Sequence, residues 1–211
     1  MIDRAGFFGD SLTIGDSDAE GLSWPGRLCR GLVRHGKRSM TVYNLGVNGD
    51  TAPDIALRWR REAEARSRGG GLGALVFCFG VNDASVVVGK GPQVPLDRSC
   101  AAAEAMMREA KALAPVLWLG PFPVDERINP LVEDGVTWDM RNAAMIEFGR
   151  AYSAIARGLG IPFLDLVTPL AADDRYRAAL AAGDGLHPAA DGYARIAELV
   201  GGWSAWRSLV A

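Results

Sequence analysis

The 211 residues carry 23 Lys and Arg against 25 Asp and Glu, a formal net charge of −2, with 49% hydrophobic and 23% charged residues. That balance supplies no basic footprint for nucleic acid, the composition is neither disordered nor fibrous, and the length suits one domain over residues 1–211. The three cysteines, Cys29, Cys78 and Cys100, lack metal-type spacing, and no apolar stretch approaches the roughly 18–20 residues of a membrane span, so neither structural zinc nor a membrane span is expected, and no motif calls for a cofactor.

From the N-terminus, residues 1–8 lack the basic region, long apolar segment and cleavage site of a secretory signal, so a cytoplasmic protein is expected. Short apolar runs then alternate with longer amphipathic segments, the pattern of a parallel sheet covered by helices on both faces. Strands are expected at residues 4–8, 40–45, 74–79, 115–119 and 161–164, and helices at 25–34, 52–68, 97–113, 138–159 and 189–206. The run Ala74-Leu-Val-Phe-Cys-Phe79 is apolar throughout, as a central parallel strand must be. Thr51-Ala-Pro-Asp54 supplies an N-cap hydroxyl, a proline in the first turn where no amide donor is missed, and an acid near the positive end of the helix dipole. Arg58, Arg60, Arg61, Arg66 and Arg68 surround Trp59 but are interleaved with Glu62 and Glu64, which reads as a solvated helix face. Residues 120–137 form a long connection rich in proline, with Phe122 and Ile128, and are expected to act as a semi-rigid wall or lid.

In such a fold the loops leaving the carboxyl ends of the strands bind ligands. The first three are Gly9-Asp-Ser-Leu-Thr13, Gly46-Val-Asn-Gly-Asp-Thr51 and Gly80-Val-Asn-Asp83, each pairing glycine with small polar residues. Two histidines are present. His35, followed by Gly36, reads as the end of a helix. His187 lies in Gly183-Asp-Gly-Leu-His-Pro188, where Asp184 can accept the Nδ1 proton and leave Nε2 as a base. Ser11 needs such a base to become nucleophilic, although Asp10-Ser11 read alone is an ordinary helix cap. Gly49 and the two-donor amide of Asn82 are candidates to face a developing oxyanion. Asp10, Asp50 and Asp83 read as braces of turns and helix starts.

Together, Gly9-Asp10-Ser11-Leu12, Gly49 within Val-Asn-Gly-Asp-Thr, Gly80-Val-Asn82-Asp83 and Asp184-Gly-Leu-His187-Pro188 resemble the blocks of the GDSL, or SGNH, hydrolase family of esterases and lipases. The resemblance implies a flavodoxin-like three-layer α/β/α sandwich with about five parallel strands. It implies Ser11 as nucleophile, Asp184 and His187 as its partners, and an oxyanion hole made by the Ser11 amide, the Gly49 amide and the Asn82 side chain. It also implies no metal.

A nucleotide-binding module is one rival. G-x-x-x-x-G-K-[ST] is absent, and the glycine run at residues 69–74 precedes a strand when it should follow one. The G-x-S-x-G of an ordinary α/β-hydrolase is also absent. A non-catalytic binding protein of the same fold also competes, as does an acyltransferase using the same triad. The substrate is expected to be a small ester with a short acyl chain, taken by an open cleft that Trp24, Phe122 and Trp138 help to shape. A sugar acetyl ester, a lysophospholipid, a thioester and an aryl ester all satisfy the sequence, and oligomeric state is not encoded in any motif.

Overall fold

A computed structural model describes residues 2–30, 32, 40–67, 70–128 and 130–211. All five expected strands form: β1 (Arg4–Gly9), β2 (Thr41–Gly46), β3 (Ala74–Cys78), and two more at Val116–Leu119 and Phe163–Leu164, which become β6 and β9 in chain order. They make one parallel sheet in the order β2-β1-β3-β6-β9. This is the flavodoxin-like order, whose switch point lies between β1 and β3, where the loops leave the sheet in opposite directions and open a crevice.

Between and after the strands lie α1 (Ser11–Ile14), α2 (Ser23–Arg30), α3 (Ala52–Arg66), α4 (Leu96–Leu113), α5 (Asn142–Leu159), α6 (Val167–Ala171), α7 (Asp174–Ala181), α8 (Ala190–Gly202) and α9 (Ser204–Val210). The period-two alternation of β1 shows how they divide into two layers. Phe7 faces one side and meets Trp24 of α2 edge-on at 5.4 Å and Trp206 of α9 at 6.2 Å. Phe8 faces the other, stacked on Phe77 at 5.1 Å and edge-on to Trp59 of α3 at 6.4 Å. On that second side Phe79 and Trp118 pack against Tyr152 of α5. Every side chain of β3 is buried. The start of α3 is anchored as its sequence implies: the Asp54 carboxylate accepts from the Thr51 amide at 3.0 Å, with Pro53 in the first turn.

Several expectations are corrected. The connection 120–137, expected as a loop, carries secondary structure: Leu131–Glu133 and Val136–Asp139 form a hairpin, β7 and β8. With Val86–Val87 (β4) and Gly91–Pro92 (β5) they make a second, antiparallel sheet in the order β5-β4-β8-β7. Trp138 therefore lies in a strand, between Val87 and Leu131, and the helix starts only at Asn142. The Val-Thr-Trp run at 136–138 has the β-branched and aromatic character of a strand, and its pairing decides the matter. The expected last helix is two, α8 and α9, parted at Trp203, whose extended backbone (ψ 129°) follows Gly201 and Gly202. The first helix starts two residues earlier than expected, at Ser23; its far end, with His35 and Gly36, lies outside the described residues, as do Arg68 and Gly69.

Candidate active site

Ser11 sits where β1 hands over to α1. The Asp10 side chain caps that single turn by accepting from the Leu12 amide at 3.0 Å, and Gly15, at φ 92°, ends it. The turn is wedged against both neighbouring strands. A Cβ at Gly9 would lie 2.2 Å from the Cys78 carbonyl oxygen, and one at Gly46 would lie 2.2 Å from the Ile14 nitrogen. Glycine at these two positions lets the Ser11 turn settle directly on the sheet edge.

At the other end of the chain, the turn between α7 and α8 brings His187 over Ser11. It is tight enough that a Cβ on Gly183 would lie 2.1 Å from the His187 carbonyl oxygen. Within it, Asp184 Oδ1 accepts from the amides of Leu186 (2.8 Å) and His187 (2.6 Å), while Oδ2 stands 2.7 Å from His187 Nδ1. His187 Nε2 stands 2.8 Å from Ser11 Oγ. A carboxylate can only accept, so the Nδ1 proton belongs in the Asp184 bond and the Nε2 lone pair faces the Ser11 hydroxyl. Burial alone would lower the His187 pKa, but the Asp184 hydrogen bond and charge, with Asp16 and Asp10, outweigh it and raise the value above 6.5. For Asp184, burial pulls upward and the His187 bonds pull down harder, leaving a pKa of about 2.

The cleft in front of these groups holds about 120 Å³ and is lined by Ser11, Gly49, Asn82 and His187, with Asp16, Asn48 and Gln93 on a polar rim and Leu131, Trp138, Met140 and Leu186 on an apolar wall. Gly49 has φ 78° with open space where a Cβ would go, so backbone shape rather than crowding calls for glycine. Asn82 Nδ2 donates one hydrogen to the Asp50 carbonyl at 3.0 Å, which orients the amide and leaves the other hydrogen for a ligand. The structure thus gathers Ser11, Gly49, Asn82, Asp184, His187 and Trp138 around one crevice.

Trp24 and Phe122 are not there. Trp24 is fully buried against Phe7, and Phe122 is equally enclosed in the core; neither lines the cleft. At helix and strand ends in a sandwich the core outcompetes the surface for large rings. The three remaining acids are braces, as expected. Asp10 caps α1, Asp50 is paired with Arg58 at 2.6 Å, and Asp83 accepts the Ala52 amide with both oxygens, at 3.1 and 3.0 Å. Burial raises Asp10 to about 7 and Asp83 to about 6 despite those bonds. The sequence reading missed Asp16, Asn48, Gln93, Leu131, Met140 and Leu186. Asp16, Asn48 and Leu186 adjoin the recognised blocks, whereas Gln93, Leu131 and Met140 arrive through the second sheet and carry no local signal.

A larger cavity of about 690 Å³ lies between residues 123–127 and α6–α7. It is lined by the Arg127–Asp125 and Arg177–Asp174 pairs and, among the described residues, contains no nucleophile beside a base. Among the described residues no group of three or more His, Cys, Asp or Glu could hold a metal ion, and no helix is long and apolar enough to cross a membrane.

A flavodoxin-ordered sheet bearing a hydroxyl, an imidazole and a carboxylate in line at its carboxyl edge marks the chain as a carboxylic ester hydrolase. More narrowly, the chain belongs to the GDSL-like Lipase/Acylhydrolase family, whose model matches residues 7–195. No protein of curated function matches its sequence. Solved structures similar in fold include the lipase/acylhydrolase from Enterococcus faecalis, with 23% identity, 97% of this chain and 96% of that one covered, and a TM-score of 0.77. An acetylxylan esterase from Geobacillus stearothermophilus has 21% identity over 99% and 94% of the two chains, with a TM-score of 0.70. An alpha/beta hydrolase from the metagenome of Lake Arreo, Spain, has 22% identity over 99% and 94%, with a TM-score of 0.72.

Proposed function

We propose that this chain acts as a single-domain serine esterase that cleaves short-chain carboxylic esters through an acyl-enzyme on Ser11. The observation that carries the reading is the unbroken line from Asp184 Oδ2 to His187 Nδ1 (2.7 Å) and from His187 Nε2 to Ser11 Oγ (2.8 Å). Ser11 Oγ attacks the ester carbonyl while His187 Nε2 takes its proton, and Asp184 steadies the imidazolium. The oxyanion forms against the amides of Ser11 and Gly49 and the second Asn82 hydrogen. His187 then passes the proton to the leaving alcohol. Water, deprotonated by His187, attacks the acyl carbonyl, releasing the acid and returning the proton to Ser11.

The substrate follows from the cleft. The cleft is small, about 120 Å³, and its Leu131, Trp138, Met140 and Leu186 wall beside Ser11 suits a short acyl group such as acetyl. The polar rim of Asp16, Asn48 and Gln93 suits a hydroxylated alcohol. An acetylated carbohydrate combines both features, and the Geobacillus relative, an acetylxylan esterase, is consistent with that choice. The test is release of para-nitrophenol from its acetate by wild type and by Ser11→Ala. Activity lost in the variant, with folding intact, is the expected result; an unchanged rate, or no hydrolysis by wild type, refutes the proposal.

A further inference from the structure

Around the carboxyl edge of the sheet nearly every acid has a matching donor of charge or hydrogen. Asp184 has His187, Asp50 has Arg58, Asp18 has Arg27, and Asp83 has the Ala52 amide. Asp16 differs in two ways: it lines the cleft itself, and its donors carry no charge. Its Oδ2 accepts from Asn48 Nδ2 at 2.9 Å and its Oδ1 from Ser17 Oγ at 3.4 Å, both neutral, and among the described residues it forms no ion pair. Nor, among the described residues, does any Lys or Arg line the cleft that Asp16 helps to form.

The position of this carboxylate is fixed. The Asp16 amide donates to the carbonyl of Ser11 at 3.0 Å, and the Asp16 carbonyl accepts from the Tyr193 hydroxyl at 2.7 Å. The left-handed Gly15 turns the chain between them. The Asp16 backbone is thus tied to the residue that carries the nucleophile and held from the opposite side by α8, and the Asn48 bond keeps the carboxylate at the rim of the cleft.

We propose that Asp16 sets the charge selectivity of the site: its fixed, unpaired carboxylate admits neutral and cationic esters and repels those with an anionic group close to the scissile bond. The inference rests on the esterase reading above and narrows it, favouring acetyl esters of neutral hydroxylated alcohols over esters that carry a phosphate, sulfonate or carboxylate beside the reacting carbonyl. Two unit charges about 6 Å apart, at an effective dielectric of about 40, change a rate constant for capture roughly tenfold.

Three aryl acetates test it: one with a trimethylammonium, one neutral and one with a sulfonate on the ring, each kcat/KM normalised to its own hydroxide-catalysed rate. Wild type is expected to prefer the cation to the anion by roughly 100-fold, tenfold per charge, and the preference should shrink severalfold in about 1 M salt, where the screening length is about 3 Å. Asp16→Asn keeps the shape and the Asn48 contact and should bring the ratio within about threefold. His187 is faced by Asp184 from its own turn and by Asp10 and Asp16 from the β1–α1 segment. Removing one of these acids should therefore also move the acid limb of the kcat/KM profile to lower pH, which a merely structural defect would not do. Equal rates for the three esters in wild type, or a ratio unchanged in Asp16→Asn, overturns this inference alone. Hydrolysis of none of them overturns the esterase reading together with it.

Discussion

Replacing Asp184 with asparagine tests the orientation of the imidazole with almost no change of shape. Asp184 Oδ1 already accepts two backbone hydrogens, from Leu186 at 2.8 Å and His187 at 2.6 Å. Asparagine has one acceptor oxygen, so that oxygen must stay with the two amides, and its NH₂ must turn toward His187 Nδ1. Nδ1 then becomes an acceptor, the ring proton moves to Nε2, and Nε2 can no longer receive the Ser11 proton. Loss of the charge-assisted bond alone is worth about 1.5–3 kcal/mol, or roughly 10- to 150-fold. The inverted tautomer brings the expected loss of kcat to about 10⁴-fold, equivalent to about 5.5 kcal/mol. The assay is kcat for para-nitrophenyl acetate near neutral pH, with thermal unfolding as a control on the fold. An Asp184→Asn enzyme within tenfold of wild type would refute the argument that this carboxylate sets the tautomer.

Other outcomes follow from the same geometry. Asn82→Ala removes one of the proposed oxyanion donors and should slow kcat by about 100- to 1000-fold with little change in KM. The acid limb of kcat/KM should have its midpoint above 6.5, because His187 must be neutral to act and its surrounding acids raise its pKa; a midpoint below 6.5 contradicts the pairing. Trp24→Ala should cost about 3–5 kcal/mol and lower Tm by about 6–20 °C, whereas Trp24→Phe, which leaves a smaller cavity and removes an indole N–H that has no partner, should cost less, and both should keep kcat in the folded fraction. Trp138→Ala should lower Tm by less than Trp24→Ala, since Trp138 is only partly buried against the core, and improve butyryl over acetyl esters by roughly tenfold, read from an acyl-chain series.

Much of this architecture was legible because its signals are local. A run such as Ala74–Cys78 is apolar at every position and must be a covered central strand, and the Thr51–Asp54 signature marks a helix start by its own hydrogen bonds. The strand-end loops then place Ser11, Gly49 and Asn82 at one edge by topology. Where the chain's preferences are weaker than its partners' demands, the sequence misleads. β4, β5 and β7 have two or three residues each, too few for a period, and exist only through pairing, β4 and β7 beside β8 and β5 beside β4. Trp138 looked continuous with the helix that follows because nothing near it announces the Val87 and Leu131 partners. Trp24 and Phe122 are rings at element ends, and whether such a ring faces cleft or core depends on what the opposite layer offers, here Phe7 and the rest of the buried cluster. Likewise, Asp16 stands out only after the other acids have been matched to their partners.

The central claim is that the Ser11 hydroxyl, activated by His187, forms a covalent bond to the acyl group. The most direct measurement is mass spectrometry of the protein after reaction with a fluorophosphonate, which phosphonylates an activated serine. One adduct per chain on the peptide containing Ser11, formed in step with the loss of esterase activity and suppressed in His187→Ala, is the predicted result. Full esterase activity in a chain that takes no adduct, or an adduct at another residue that accounts for the lost activity, would contradict the account.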